Sequence, residues 1–292
     1  MTSLEPSHHF VVNNHIHHYA RWKRIYQSGV QIEGVGIRVA NNHIHDAPHM
    51  AISFHGNEHI IELNEINNVV YESFDAGAVY SGRNPSMQGN IIRHNYFHNI
   101  GKIAEYHGVA SVYLDDGQSG ISIYGNIFYK ACVPGGCKFG AVFVHGGRYN
   151  NIENNIFIDC PQAYNETPWT QEFWLDYWAK PMYKERLFGD KVDVRKKPYT
   201  EKYPWLANVL EDQRPNILAR NIAFNCKSFT NRGVLELTDN MTEEDPLFVD
   251  YEKGDFRLRA ESPAFKKGFQ PIPVEKIGLL VDDNDAVTSG RK

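Results

Sequence analysis

The sequence predicts an all-β solenoid, a parallel β-helix, on three observations. An Asn-x-(Ile/Phe)-x unit recurs at Asn14, Asn42, Asn64, Asn95, Asn126 and Asn155, with steps of 28, 22, 31, 31 and 29 residues. Each copy follows a short β-prone segment, as in Ile91-Ile92-Arg93-His94 before Asn95 and Ile121-Ser122-Ile123-Tyr124 before Asn126. Gly and Asn stand at the intervening corners. Self-similarity at a period of about 20–50 residues marks one supersecondary unit per coil, stacked on its neighbours. Stacked strands lie about 4.8 Å apart, so one repeat in sequence becomes one rung in space and a site is read down a column.

Whole-chain numbers narrow the classes. The chain has 292 residues, a net charge of −5 and interspersed signs, which argues against a nucleic-acid footprint. It has no run of about 18 apolar residues, so no membrane span is expected. The opening Met1-Thr2-Ser3-Leu4-Glu5-Pro6 is unlike a signal peptide. Cys132 and Cys137 flank a tight Val133-Pro134-Gly135-Gly136 turn that a disulfide can bridge. With Cys160 and Cys226 they are otherwise read as four ordinary thiols.

A second repeated element precedes each Asn unit: Gly36–Ala40, Ala51–His55, Ala78–Gly82, Ser111–Asp115 and Ala141–His145. Alternation puts Ile52, Val79, Val112 and Val142 on one face with Phe54, Leu114 and Val144, and this face is the expected interior. Ser53, Tyr80, Tyr113 and Phe143 point the other way, followed by the column His55, Gly82, Asp115 and His145. Asn suits the corners for two reasons. It tolerates left-handed backbone, and stacked Asn side chains can hydrogen-bond from coil to coil.

In order along the chain, residues 1–160 are expected to form β-helix coils. The repeat breaks after Cys160, and residues 161–215 read as a helical, aromatic-rich insertion. Phe173, Trp174, Tyr177 and Trp178 have helical spacing and are read chiefly as packing. The repeat resumes at Asn216-Ile217-Leu218, and residues 216–281 carry final coils and a C-terminal β cap. Residues 282–292 read as a disordered tail. Repeat sequence already begins near residue 10. Solenoid ends need covering, so an N-terminal capping partner or further N-terminal coils are expected.

The candidate chemistry lies beside the outward face. Asp75 precedes the strand Ala78–Gly82, and Asp115 and Asp116 follow Tyr113-Leu114. Arg83 falls beside Asp116 one coil away, and His55 and His145 share the column of Asp115. Acid, base and cation crowded together push carboxyl pKa values apart, as acid–base chemistry requires. The bland reading is that Asp-Gly and Asp-Asp-Gly are common turns.

Asp75-Ala76-Gly77-Ala78-Val79-Tyr80-Ser81-Gly82-Arg83, Gly89–His98 and Tyr113-Leu114-Asp115-Asp116-Gly117-Gln118-Ser119-Gly120 resemble right-handed parallel β-helix carbohydrate-active enzymes, above all glycoside hydrolase family 141. The resemblance implies a right-handed parallel β-helix and an enzyme cleaving xylan or fucoside linkages. It also implies a secreted or periplasmic setting and a catalytic pair matched to Asp75 and Asp116. Family members are much longer than this chain. Arg83, His55, His107, His145, Tyr80 and Tyr113 are the expected substrate contacts.

A geometric difficulty attends the pair. Asp75 aligns level with Gly108, eight residues before Asp116, and eight extended residues span about 26 Å. Glycosidase carboxyls stand roughly 5–9.5 Å apart, so a sharp bend between Gly108 and Ser111 is required. Alternation also points Asp115 outward more naturally than Asp116, which makes Asp115 the substitute.

The leading expectation is therefore polysaccharide hydrolysis by two aspartates without a cofactor. The first alternative is a Ca2+-dependent lyase or epimerase on uronate polymers, with the aspartates as ligands and Arg83 or Lys138 as base. The second is a non-catalytic glycan-binding β-helix. His15/His17 and His43/His45 form two His-Ile-His pairs that could meet on zinc if their coils stacked. Their place beside the Asn repeat reads instead as outward polar positions, and no metal site is expected there.

Overall fold

The computed structural model describes residues 3–102, 108–132, 138–230, 233 and 235–280. Within them the chain winds as a right-handed parallel β-helix. Three short strands per coil stack into parallel sheets of eight, seven and six strands. The first sheet runs from Phe10–Val12 to Leu235–Thr238 and the second from His15–His17 to Ile222–Phe224. The third runs from Val30–Val35 to Tyr164–Thr167 and carries the candidate chemistry.

The predicted inner face is the core. Ile52, Phe54, Val79, Val112, Leu114, Val142 and Val144 belong to one buried apolar cluster running through the coils. Phe97, Phe128 and Phe157 stack inside it, with centroids 5.0 and 4.9 Å apart. Tyr113, Phe143 and Tyr80 form a separate cluster on the outer face with Phe139.

The asparagines form a ladder. Side-chain Nδ2 donates to the next Oδ1 from Asn14 to Asn42, Asn64, Asn95, Asn126, Asn155, Asn221 and Asn240, at 2.9–3.0 Å throughout. The step from Asn155 to Asn221 passes across the insertion without a break. Left-handed tolerance is not what places these residues, which corrects one of the two reasons given for them. The positive-φ residue is the one before each ladder position: Asn13, Asn41, Leu63, His94, Gly125, Asn154, Arg220 and Asp239. The ladder Asn is chosen because its amide can donate and accept at once inside the buried turn.

The sheet continues through Tyr164–Thr167, beyond the point where the sequence repeat fades. Helices Gln171–Ala179, Pro181–Phe188 and Tyr199–Lys202 follow. Thr170 caps the first of them, its hydroxyl accepting from the Phe173 N–H at 3.2 Å. Trp174, Trp178, Leu187, Tyr199 and Leu206 are buried in a cluster of their own, so most insertion aromatics pack rather than face solvent. After the coils resume, a two-stranded antiparallel hairpin (Phe248–Asp250 with Asp255–Leu258) covers Ile127, Ile156 and Ile222 on the outside of the second sheet. The segment then runs back along the stack: Gly278 N–H donates to Leu63 O, and Leu280 N–H to Asn13 Oδ1.

Cys132 is disulfide-bonded, which corrects the reading of four ordinary thiols. Cys137 lies outside the described residues, as do His107 and the tail 282–292. Cys160 and Cys226 are free. Among the described residues no helix is long and apolar enough to cross a membrane.

Candidate active site

The site lies on the outer face of the third sheet, where strands Ala76–Gly82 and Val109–Asp115 pair in parallel. Asp75 N–H donates to Gly108 O at 2.9 Å, so the two residues are level. The ladder then skips the Ala78–Ser111 rung. Ser111 and Val112 both donate to the Ala141 carbonyl, at 2.8 and 3.0 Å. Two successive amides on one acceptor bend the strand at the place where a bend is required, and the bend brings Tyr113 between the carboxylates.

The Tyr113 hydroxyl lies 2.8 Å from Asp115 Oδ1 and 3.2 Å from Asp75 Oδ1. Through this shared oxygen the two carboxyl oxygens are no more than about 6 Å apart. Tyr80 Oη donates to Asp115 Oδ2 at 2.8 Å. Two glycines clear the space. A Cβ on Gly77 would stand 2.7 Å from Tyr113 Cβ, and one on Gly82 would stand 2.8 Å from Asp115 Cβ.

Asp116 is held differently. Arg83 Nε donates to its Oδ2 at 2.8 Å, Tyr177 Oη donates to the same oxygen at 3.2 Å, and His145 Nδ1 lies 3.1 Å from Oδ1. His145 Nδ1 is also 3.2 Å from Asp115 Oδ1, and Arg83 Nη2 is 3.6 Å from Asp115 Oδ2. Two cations thus interleave with two carboxylates. Burial opposes the charge on Asp116, but hydrogen bonds from His145 and Arg83 outweigh it and hold the carboxyl at about 2. Burial likewise disfavours the imidazolium of His145, yet its two carboxylate partners push it up to about 9. Trp169 Nε1 approaches His145 Nε2 at 3.4 Å. A protonated ring cannot accept there, and two close carboxylates outweigh one long contact.

This ion network makes stability depend on pH. Asp116 is lowered from 3.8, so its contribution is complete above about pH 4 and is lost as pH falls through about 2. His145 is raised from 6.5, so its contribution is complete below about pH 6.5 and is lost as pH rises through about 9. The two belong to one network and are counted once. With about a third of the His145 ring exposed, the loss from pH 6 to pH 10 is on the order of 2 kcal/mol. Denaturation at the two pH values measures it, and a His145→Gln variant whose alkaline loss is undiminished contradicts the assignment.

A groove of about 480 Å³ adjoins the pair, lined by Asp75, Tyr80, Arg83, Asp115 and His55 among others. Asp116 is not in that lining. The sequence columns explain part of this arrangement, since Glu33 pairs with His55 in register and Asp115 with Gly82. Burial lowers the pKa of His55. Lys138 does not line the groove. Sequence reasoning missed Tyr26, Glu33, His49, Arg186 and Tyr177. Glu33 was open to discovery as the next member of the His55 column. Arg186 and Tyr177 come from the insertion, whose helical period carries no register with the coils, so no signal pointed to them.

Asp115, Asp116 and His145 are the groups here whose donor atoms converge closely enough to hold a metal ion. The positive charge on His145 and Arg83 opposes a cation at that point.

A family model described as "Right handed beta helix region" matches residues 28–164. The matched stretch contains Asp75, Arg83, Asp115, Asp116 and His145 but not the insertion helices. No curated protein and no solved structure matches the chain.

Proposed function

We propose that this right-handed β-helix hydrolyses glycosidic bonds of a polysaccharide, with Asp75 and Asp115 as the working pair. The observation that carries the reading is the Tyr113 hydroxyl joining both carboxylates at the groove. Both oxygens of Asp115 already accept hydroxyl hydrogen bonds, the geometry of a carboxylate that attacks carbon or takes a proton. With the single Tyr113 proton on the nearer Asp115 oxygen, Asp75 stands at the longer 3.2 Å contact and is exposed to the groove, and it is assigned to protonate the departing oxygen. Arg83, His55 and Tyr80 are then the hydroxyl-binding wall. His145 and Asp116 hold Arg83 and Asp115 in place.

β-Helix domains occur in polysaccharide-acting enzymes, and the resemblance to glycoside hydrolase family 141 favours hydrolysis of xylan or fucoside linkages. Fold analogy by itself does not choose a reaction. Calcium-dependent elimination is less well supported, because Arg83 and His145 already neutralise the two adjacent carboxylates.

A panel of xylans, fucosides and uronate polymers, with and without chelator, tests the class of reaction. Expected are reducing ends without ultraviolet absorption, formed at equal rates with chelator present. Unsaturated, chelator-sensitive products would replace hydrolysis by elimination. The bound of about 6 Å between Asp75 Oδ1 and Asp115 Oδ1 favours the roughly 5–5.5 Å spacing of retaining enzymes over the roughly 6.5–9.5 Å of inverting ones. The first-formed product should therefore keep its anomeric configuration by proton NMR, and an inverted product would show that a water, not Asp115, attacks the sugar.

A further inference from the structure

The outer face of the second sheet carries a group of histidines that the groove does not use. His15 pairs with His43 across the first two coils, and His17 with His45. Alternation puts all four rings on the same side of the sheet. The centroids of His15 and His43 are 5.3 Å apart, those of His17 and His45 5.2 Å, and those of His15 and His45 4.9 Å. His15 and His17 are exposed, and His43 and His45 are half-buried, so an ion can reach them from solvent.

The nitrogens are arranged as ligands rather than as a mere stack of rings. His45 Nδ1 lies 2.7 Å from Asp46 Oδ2, so it carries the proton and leaves the Nε2 lone pair free. That Nε2 lies 2.6 Å from His15 Nε2, and two lone pairs stay so close only with a proton or a cation between them. His43 Nε2 lies 2.8 Å from Asn67 Oδ1. An amide oxygen only accepts, so the lone pair of neutral His43 is on Nδ1. One donor atom from each of His15, His43 and His45 falls within 4.8 Å of the others. A carboxylate or amide oxygen behind a ligating imidazole is the usual support that fixes its tautomer.

The geometry points to a zinc site formed by His15, His43 and His45, with a water in the fourth position, that staples the strand His15–His17 to the strand His43–Ala47. Imidazole ligands suit Zn2+. With Zn–N bonds of about 2.0–2.1 Å, two nitrogens on a tetrahedral ion stand roughly 3.4 Å apart. The His15–His45 pair therefore opens by less than about 1 Å to admit the ion. His15 belongs to the strand at the edge of its sheet. Such a strand frays at low free energy, and a cross-link to the next coil suppresses that fraying.

The test uses the full chain, stripped with chelator and titrated with zinc chloride alone. Calorimetry should find one ion per chain at micromolar affinity or tighter. Hydrogen exchange at residues 15–17 should slow on zinc addition. His15→Gln and His45→Gln, both at accessible positions outside the groove, should each weaken binding by at least about tenfold. No binding at roughly 100 µM zinc, or undiminished binding in both variants, overturns the proposal. So does binding that survives both variants and disappears in Asp116→Asn, since the ion then sits at the groove. Activity of the groove plays no part in these readouts, so failure of the proposed hydrolysis leaves them intact.

Discussion

On the proposed hydrolysis, an Asp115→Asn variant is expected to lose about three orders of magnitude or more in kcat, roughly 4 kcal/mol of transition-state stabilisation, and to remain folded. Asparagine keeps the volume and one acceptor oxygen, so Tyr113 and His145 retain a partner. The Tyr80 hydroxyl can turn to accept from the new amide. What disappears is the negative charge on the atom that meets the sugar. Asp75→Asn should show a comparable loss on natural substrates. It should recover much of its rate on aryl glycosides, whose leaving group departs without a proton. Asp116→Asn should lose far less, because Asp116 is outside the groove lining and acts through Arg83 and His145. Rates on the three variants decide between the pairings. If Asp115→Asn hydrolyses at the parental rate and Asp116→Asn is inactive, the pair is Asp75 with Asp116, as the family resemblance alone implies.

Asn95→Ala is expected to destabilise the fold by about 3–4 kcal/mol, as is the same change at any fully buried ladder position near mid-stack. Asn95 is fully buried. Its Nδ2 donates to Asn126 Oδ1, Ile61 O and Arg93 O, and its Oδ1 accepts from the backbone and side-chain nitrogens of Asn64. Truncation strands donors and acceptors on both neighbouring coils at once, away from water. Asn14 is exposed at the end of the same ladder, and Asn14→Ala should shift the denaturation midpoint far less. Equal effects at the two positions would show that the asparagines act singly as turn formers and not as a ladder.

The ladder was legible because its period is written in the chain. Each coil repeats the same apolar alternation, so Ile52, Val79, Val112 and Val142 declared the inner face and the register, which the pairing carries on to Gly82 beside Asp115. The reason for the asparagines was only half legible. Backbone dihedrals are not encoded by residue type when Leu63, His94 and Arg220 take the left-handed turn beside them. The zinc-competent histidines were visible as two His-Ile-His pairs. Whether they faced each other depended on the 28-residue step closing into one coil.

By itself, then, the sequence determined a stacked β solenoid, its interior, its rungs and the strip of surface that holds Asp75, Arg83, Asp115 and His145. Those are properties of a one-dimensional repeat, in which near-neighbour pairing fixes everything along the stack. Only the tertiary structure decided which carboxylates share the groove. That choice turns on a strand bend at Ser111, on the reach of the Tyr113 ring, and on an insertion that brings Tyr177 to Asp116 and Arg186 to the groove wall. None of these has the period of the coils, so none leaves a repeating trace in the chain.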